Sequence, residues 1–406
     1  MNIKNNTLSG SKHVPLSTWL FVAAFIIAAF NLRSAITSVG PLIGWIRADT
    51  GMSNTAIGLL TTLPLLAFGV FSIVAPKLGR KLGNETVVFL ALVVLTAGIL
   101  LRSTGYLPAL FVGTAMIGLG IAICNVLILA IVKEKYPEKM GVMTGVFTTS
   151  MSLMAALASG VSIPLAETVG LGWQKALAVW ALLSGAGMLV WLPQLRARQK
   201  TKTLPVFEAS SSLFRSPLAW QVTIFMGFQS AIFYCLIAWL PEILISRGVD
   251  VPTAGWLLTI MQIAGLPATL AVPILAVRLK SQRPIVLAIV ALYLIGFIGL
   301  YNGGSVASLT LFNVLLGLGQ GAGISLALTL FGLRTANGVE AANLSGMAQS
   351  GGYFLAAIGP LFMGYLFDYF HSWSPAIFLL VGFSLIMVVS GMYATQDRVL
   401  FQKQAS

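Results

Sequence analysis

The chain has 406 residues, of which 57% are hydrophobic and only 9% charged, with a mean hydropathy of +0.92. Soluble chains of this length carry about 25% charged residues, so the composition excludes a soluble enzyme, a disordered regulator and a coiled coil, and leaves a polytopic membrane protein. The net charge of +13 falls in short clusters between long apolar runs, which is the pattern of membrane topology rather than of nucleic-acid binding.

A spanning helix needs about 20 mostly apolar residues, and twelve such runs occur. In the first half they are Leu16–Val39, Ala56–Ala75, Thr86–Leu101, Leu107–Val132, Met140–Leu165 and Gln174–Leu192. In the second half they are Ala219–Ile245, Ala254–Val277, Pro284–Tyr301, Ser305–Arg334, Leu344–Phe367 and Pro375–Met392. Strands of a membrane barrel would be about 10 residues long and alternating, so these continuous runs are helices. The first is too long for a signal-peptide core and is read as retained. With the N-terminus inside, 19 of the 24 basic residues fall on the cytoplasmic side. Four (Arg47, Arg102, Lys175 and Arg247) fall outside, and Arg33 lies within span 1. This asymmetry predicts that both termini are cytoplasmic.

Residues 194–217 are polar and basic and are read as a cytoplasmic linker between bundles at 1–193 and 218–406. The halves repeat. Gly58 pairs with Gly255, Thr62 with Thr259 and Pro76 with Pro273 at an offset of 197; Gly118-Leu119-Gly120 pairs with Gly317-Leu318-Gly319 at 199; Thr144-Gly145 pairs with Ser345-Gly346 at 201. A parallel duplication of six helices is the sequence sign of a transporter built as two packed bundles. The expected fold is an all-α integral membrane protein of twelve transmembrane helices, arranged as two six-helix bundles.

The six-plus-six plan with a basic central loop resembles the major facilitator superfamily. The loop signature of that superfamily is approached by Ser72-Ile73-Val74-Ala75-Pro76-Lys77-Leu78-Gly79-Arg80-Lys81. Gly79, Arg80 and Lys81 fit its end and are the expected gating motif, while Pro76 stands where the superfamily carries an acid. One branch is nearer, the cyanate permease and 2-nitroimidazole exporter family. Asn31-Leu32-Arg33 with Thr37–Leu42 resembles it, as do Leu60–Phe68, Arg215–Thr223, Trp239-Leu240-Pro241 and Leu344–Ser350. The resemblance implies a secondary transporter for a small cyanate- or nitroimidazole-like compound, with efflux favoured over uptake and coupling to protons.

Arg33 is the sharpest single signal. It sits about two turns before the far end of span 1, deep enough that a lone cation is costly and usually faces a bundle interior or a wet cavity. Its planar fork of donors suits a carboxylate, cyanate or nitro group; bracing a helix end through carbonyls is the structural alternative. Thr37, one turn on, shares its face, whereas Asn31 points elsewhere on the helix. All eleven acidic residues lie in loops or near helix ends, so Arg33 has no evident counter-ion. Glu242, near the far end of span 7, is the best proton-site candidate, with a solvated helix-end carboxylate as the plainer reading.

Amides interrupt several apolar runs: Asn125, Gln229, Gln262, Asn313, Gln320 and Gln349. Each could bind a polar ligand or simply bridge helices. Among the aromatics, Tyr234 and Tyr353 stand out because their hydroxyls need partners in a dry core. The expected binding set is therefore Asn31, Arg33, Thr37, Asn125, Gln229, Tyr234, Gln262, Gln320, Gln349 and Tyr353. Gly317, Gly319, Gly321 and Gly323 predict close helix packing, not a dinucleotide loop, because no strand precedes them.

Two isolated cysteines, Cys124 and Cys235, and two histidines outside the apolar runs argue against disulfides, metal sites and triads. With no Walker A, HExxH or GxSxG sequence, enzyme chemistry is disfavoured. A ligand-binding receptor without transport is the remaining alternative. No cofactor is expected. The expected partners are a small-molecule substrate, the bilayer and protons, with no nucleic acid, and the carrier is expected to be a monomer.

Overall fold

The computed structural model describes residues 16–136, 140–196, 211–336, 338–396 and 398–400. Among these it contains twelve helical spans long and apolar enough to cross a membrane. Spans 1 to 6 are Leu20–Thr50, Asn54–Leu82, Asn84–Arg102, Leu107–Val132, Gly145–Ala166 and Gly172–Leu195. Spans 7 to 12 are Pro217–Ser246, Val251–Arg278, Arg283–Asn302, Val306–Leu333, Asn343–Phe370 and Ser374–Ala394. The chain is an all-helical membrane protein, as its apolar runs require. Most of the expected linker lies outside the described residues.

Three boundaries differ from those read in the sequence. Span 1 does not stop at Val39: the helix Leu16–Thr37 passes through a short 3-10 turn, Gly40–Leu42, into a further helix, Ile43–Thr50. Pro41 sets the turn, since it fits the first residues of a helix but donates no bond. Arg33 thus stands near the middle of the span, about 20 Å along the helix from Leu20. Span 2 continues to Leu82, so Ser72 to Lys81 are helix and not loop, and Gly83 alone (φ +91°) turns the chain into span 3. Arg102, expected in an outer loop, closes the last turn of span 3 and is buried.

Lys77, Arg80, Lys81, Lys135, Arg278 and Arg334 all fall at the ends of spans leading to one face, here termed the basic face; the other is the far face. Near the basic face each half is braced alike. Lys135, just beyond span 4, pairs with Glu85 of span 3 at 3.3 Å and reaches Gln194 of span 6 at 3.5 Å, its ammonium lying 4.9 Å from the Phe21 ring centre. Some 199 residues later, Arg334 donates to Gln282 ahead of span 9 and to the Ala394 carbonyl of span 12 at 2.8 Å. Each half thus braces three helices through one cation, Lys135 in the first and Arg334 in the second.

The other sequence repeats also recur as equivalent contacts. Gly118 packs on Pro64 of span 2, and Gly317 packs on Met261 of span 8; Gly120 packs on Ala91 and Leu95 of span 3, and Gly319 on Ile289 and Tyr293 of span 9. The glycine run of span 10 therefore serves close packing on two sides: Gly317 and Gly321 against the backbone of span 8, and Gly319 against span 9.

The halves meet along two crossings related by the same duplication. Span 2 runs against span 11: Thr62 donates to the Ala357 carbonyl at 2.7 Å, and Ser350 to the Gly69 carbonyl at 2.9 Å. Span 8 runs against span 5: Thr259 donates to the Ala156 carbonyl at 3.1 Å. Thr62 and Thr259, paired by sequence offset, make the same tie. These bonds form a ladder from the far face to mid-depth. Nearer the basic face, Gly145 of span 5 borders open space.

Candidate functional site

Arg33 lies half-buried where span 1 faces span 7, the most enclosed span of the molecule. Its Nη1 donates to the Tyr234 hydroxyl at 3.3 Å. Its guanidinium carbon stands 4.8 Å from the centre of the Phe233 ring and 5.7 Å from that of Tyr234, within cation–π range. Phe233 and Tyr234 meet edge to face at 4.8 Å. Tyr353 of span 11 is near enough to interact electrostatically with both Arg33 and Tyr234, and its ring meets Phe68 of span 2 edge to face at 5.3 Å. Among the described residues no carboxylate lies within 4 Å of Arg33. The result is a cation framed by aromatic faces and two phenols, drawn from both halves of the chain.

The other sequence-named residues separate into groups. Thr37 and Gln262 converge on one polar seam where spans 1, 5 and 8 meet. Thr37 Oγ1 donates to the Ala155 carbonyl at 3.0 Å, Gln262 Nε2 donates to Ser159 Oγ at 2.9 Å, and Ser159 donates to the Thr37 carbonyl at 3.2 Å. Asn31 turns away toward span 6 and donates to Leu183 and Ile27 carbonyls. Gln229 is buried about a turn and a half nearer the basic face than Tyr234; its amide nitrogen donates to Ser230 Oγ at 2.9 Å, and its Oε1 has no partner. Gln320 Oε1 is likewise buried and unpartnered. Gln349 donates within its own helix to Ser345 Oγ at 2.8 Å. Asn125 is half-buried in span 4 without a side-chain hydrogen bond among the described residues.

Gly79 is buried against Asn84 at the end of span 2, while Arg80 and Lys81 are exposed. Neither forms an ion pair among the described residues, in keeping with Pro76 standing at the acidic position. Glu242 is not the solvated helix-end carboxylate of the plainer reading. Its side chain is 11% exposed and pairs with Arg47 at 3.4 Å, because span 1 continues past its turn and carries Arg47 alongside span 7.

Arg47 also donates to Asn54 Oδ1 at 2.6 Å. Asn54 and Thr55 open span 2, and Asp368 at the end of span 11 accepts from both. Glu242, Arg47, Asn54, Thr55 and Asp368 thus form one polar chain sealing the halves together at the far face. Sequence reading missed this cluster, along with Ser159 and the burial of Arg102. The only available signal was the continuation of span 1 through Pro41, which a hydropathy window ends early.

The comparisons with known proteins agree with this architecture. The family model described as Major Facilitator Superfamily matches residues 20–301 and 246–400. The uncharacterized transporter YycB of Bacillus subtilis is 54% identical over 96% of both chains. The 2-nitroimidazole transporter of Escherichia coli is 38% identical over 97% of this chain and 98% of its own, and the cyanate transport protein CynX of the same organism is 26% identical over 89% and 94%. Among solved structures, an inward-facing, unoccupied bacterial homolog of the human lysosomal transporter Spinster superposes with a TM-score of 0.74. It covers 96% of this chain and 98% of its own at 15% identity, a likeness of fold. The chain is a multi-pass cell-membrane protein of the major facilitator superfamily, and belongs to the branch that holds the 2-nitroimidazole and cyanate transporters.

Proposed function

We propose that this transporter carries a small anionic or polar heteroaromatic compound by alternating access, with Arg33, Phe233, Tyr234 and Tyr353 as its binding centre. The observation that carries this is a mid-span guanidinium with no carboxylate partner among the described residues, framed by rings from the opposite half. An anionic or electron-rich group on the cargo would supply the missing charge and accept from the planar fork. Phe233 and the two tyrosines offer π-faces to a flat ring. A nitroimidazole-like compound meets both demands and a cyanate-like anion meets the first, and the names of the 38% and 26% identical relatives point the same way. Among the described residues the ladder between the halves runs from the far face to mid-depth, which supports a state open toward the basic face. With that face cytoplasmic, as the basic asymmetry favours, the centre loads from inside, and the direction proposed is export.

Replacing Arg33 by Gln keeps a polar side chain but removes the charge and the fork of donors. A hydrogen bond to a charged group is worth about 1.5–3 kcal/mol, so at least a tenfold loss of transport is expected in proteoliposomes given labelled cyanate or 2-nitroimidazole. In the same variant the thermal stabilisation by cargo, about 2.7 kcal/mol at 100 times its Kd, should vanish. Transport at the wild-type rate would remove Arg33 from the site.

Proton coupling is assigned to the Arg47–Glu242 pair, which ties spans 1 and 7 at the far face. Protonating Glu242 would break that tie, and so link proton binding to opening. Glu242→Gln is expected to keep cargo exchange but lose accumulation driven by a pH gradient. Accumulation unchanged by this substitution would exclude Glu242 as the coupling group.

A further inference from the structure

Arg102, the last residue of span 3, is more deeply enclosed than Arg33, at 1% exposure. Its Nη1 donates to the Ala35 carbonyl at 2.7 Å, while Nε and Nη2 have no partner and no carboxylate lies within 4 Å among the described residues. A buried guanidinium with two idle donors is a costly arrangement. It lines a cavity of about 20 Å³ between span 7 and spans 1, 2 and 4, on the far-face side of Arg33. That volume holds about one or two solvent-sized groups and excludes a heteroaromatic ring.

The formal charge of the lining is one-sided. Thr61 and Thr114 also face the cavity, but their hydroxyl protons are committed to the carbonyls of Gly58 and Leu110. Tyr234 forms part of the wall and its hydroxyl already accepts from Arg33, which leaves the phenolic proton to donate. The uncommitted donors belong to Arg102 and Tyr234, the two threonine hydroxyls keep only weakly polar lone pairs, and the one full charge on the lining is the positive charge of Arg102, in a space closed to large ligands. Water could satisfy the donors but would leave the charge uncompensated.

We infer that the cavity beside Arg102 is an anion site distinct from the Arg33 centre, taking one small monovalent inorganic anion of roughly halide to cyanate size. The site stands on the geometry of Arg102 and exists whatever cargo Arg33 holds. In a protein that moves small anions, it would be a second station between the central site and the far face, with Tyr234 as the partition.

The test uses bromide as the probe, since its anomalous scattering locates it without a variant. Crystals of the full-length wild-type protein grown in chloride-free, bromide-containing buffer should show an anomalous peak within hydrogen-bond distance of Arg102 Nε or Nη2. The same peak should persist in Arg33→Gln. In solution, Arg102→Gln should weaken bromide-dependent thermal stabilisation at least tenfold in midpoint concentration. Water alone at this position under saturating bromide would overturn the inference, and so would unchanged bromide stabilisation in a folded Arg102→Gln protein. If Arg102→Gln fails to fold, the wild-type anomalous map decides alone. Loss of cargo transport in Arg33→Gln with the bromide peak retained supports both assignments. A retained peak with unimpaired Arg33→Gln transport sinks only the central-site proposal.

Discussion

Gly321→Val should leave little or no folded protein in detergent extracts. Span 10 crosses span 8 with Gly321 lying directly on the backbone of Gly265. A Cβ there would overlap the Gly265 carbonyl oxygen and come within 2.8 Å of its carbon and 2.9 Å of its Cα. A clash with a side chain could be relieved by a rotamer change, but a clash with backbone requires the two helices to move apart. Overpacking typically costs about 1–3 kcal/mol, and here separation would also strip contacts from Gly317, which lies on the Met261 backbone along the same face. The lipid-exposed alternative offers no compensation, because tight packing drives helix association in a bilayer. Gly382→Val is the matched control, since nothing lies within 4 Å of the Cβ position at Gly382. Fluorescence-detected size exclusion of tagged variants would read the outcome: Gly382→Val as a single symmetric peak, Gly321→Val aggregated or absent. A monodisperse Gly321→Val protein with wild-type melting behaviour would mean that spans 8 and 10 are not in backbone contact.

Asp368→Ala should open the far face. The Asp368 carboxylate takes four hydrogen bonds from the start of span 2. Oδ1 accepts from the Asn54 amide N–H at 3.0 Å and from its side chain at 2.8 Å; Oδ2 accepts from the Thr55 N–H at 2.7 Å and from its hydroxyl at 2.6 Å. A carboxylate at a helix N-terminus also gains from the helix dipole. Bonds to a charged group are worth about 1.5–3 kcal/mol each when shielded. Asp368 is half-exposed, so the whole cluster is taken as about 2–3 kcal/mol. That is roughly a 30- to 150-fold change in the balance between closed and open far faces. Spin labels on the far ends of spans 2 and 11 should report it as growth of a longer-distance population. Asp250 provides the comparison. It caps span 8 by accepting the Thr253 N–H at 3.0 Å, a bond that holds its carboxyl below the usual range, but it makes this contact within its own helix. Asp250→Ala should therefore leave the distance distribution unchanged. An unaltered distribution in Asp368→Ala would sink the view of this cluster as a clasp between the halves.

The twelve spans were legible because each is a continuous apolar run, and a bilayer permits few other arrangements of such a chain. The duplication was legible too, and its paired residues now have physical roles: Thr62 and Thr259 as ties, Gly118 and Gly317 as close-contact points. The aromatic frame of Arg33 was partly legible. Tyr234 and Tyr353 stood out because of their hydroxyls, but their nearness to Arg33, and that of Phe233 beside Tyr234, depends on helix rotation. The same dependence scattered the other polar residues: Asn31 faces span 6, away from Arg33 as its place on the helix required, whereas Thr37 and Gln262 close a seam that neither spacing nor composition announces. Charges near run ends were the least legible. Hydropathy assigns Arg47 and Arg102 to loops, whereas one rides a helix past a proline turn and the other is folded inward by a carbonyl of span 1.

The two threonine ties have a mechanical consequence. One joins span 2 to span 11 and the other joins span 5 to span 8, and they occupy equivalent places under the same internal duplication. A rotation of one half against the other that preserves this equivalence stretches both at the same moment. The two threonine ties therefore load one coordinate together, with the Ser350–Gly69 bond beside the first, and are not independent latches. Weakening either threonine lowers the whole barrier by its share without creating a half-opened form, and removing both should add in free energy, with no new intermediate between the closed and parted states.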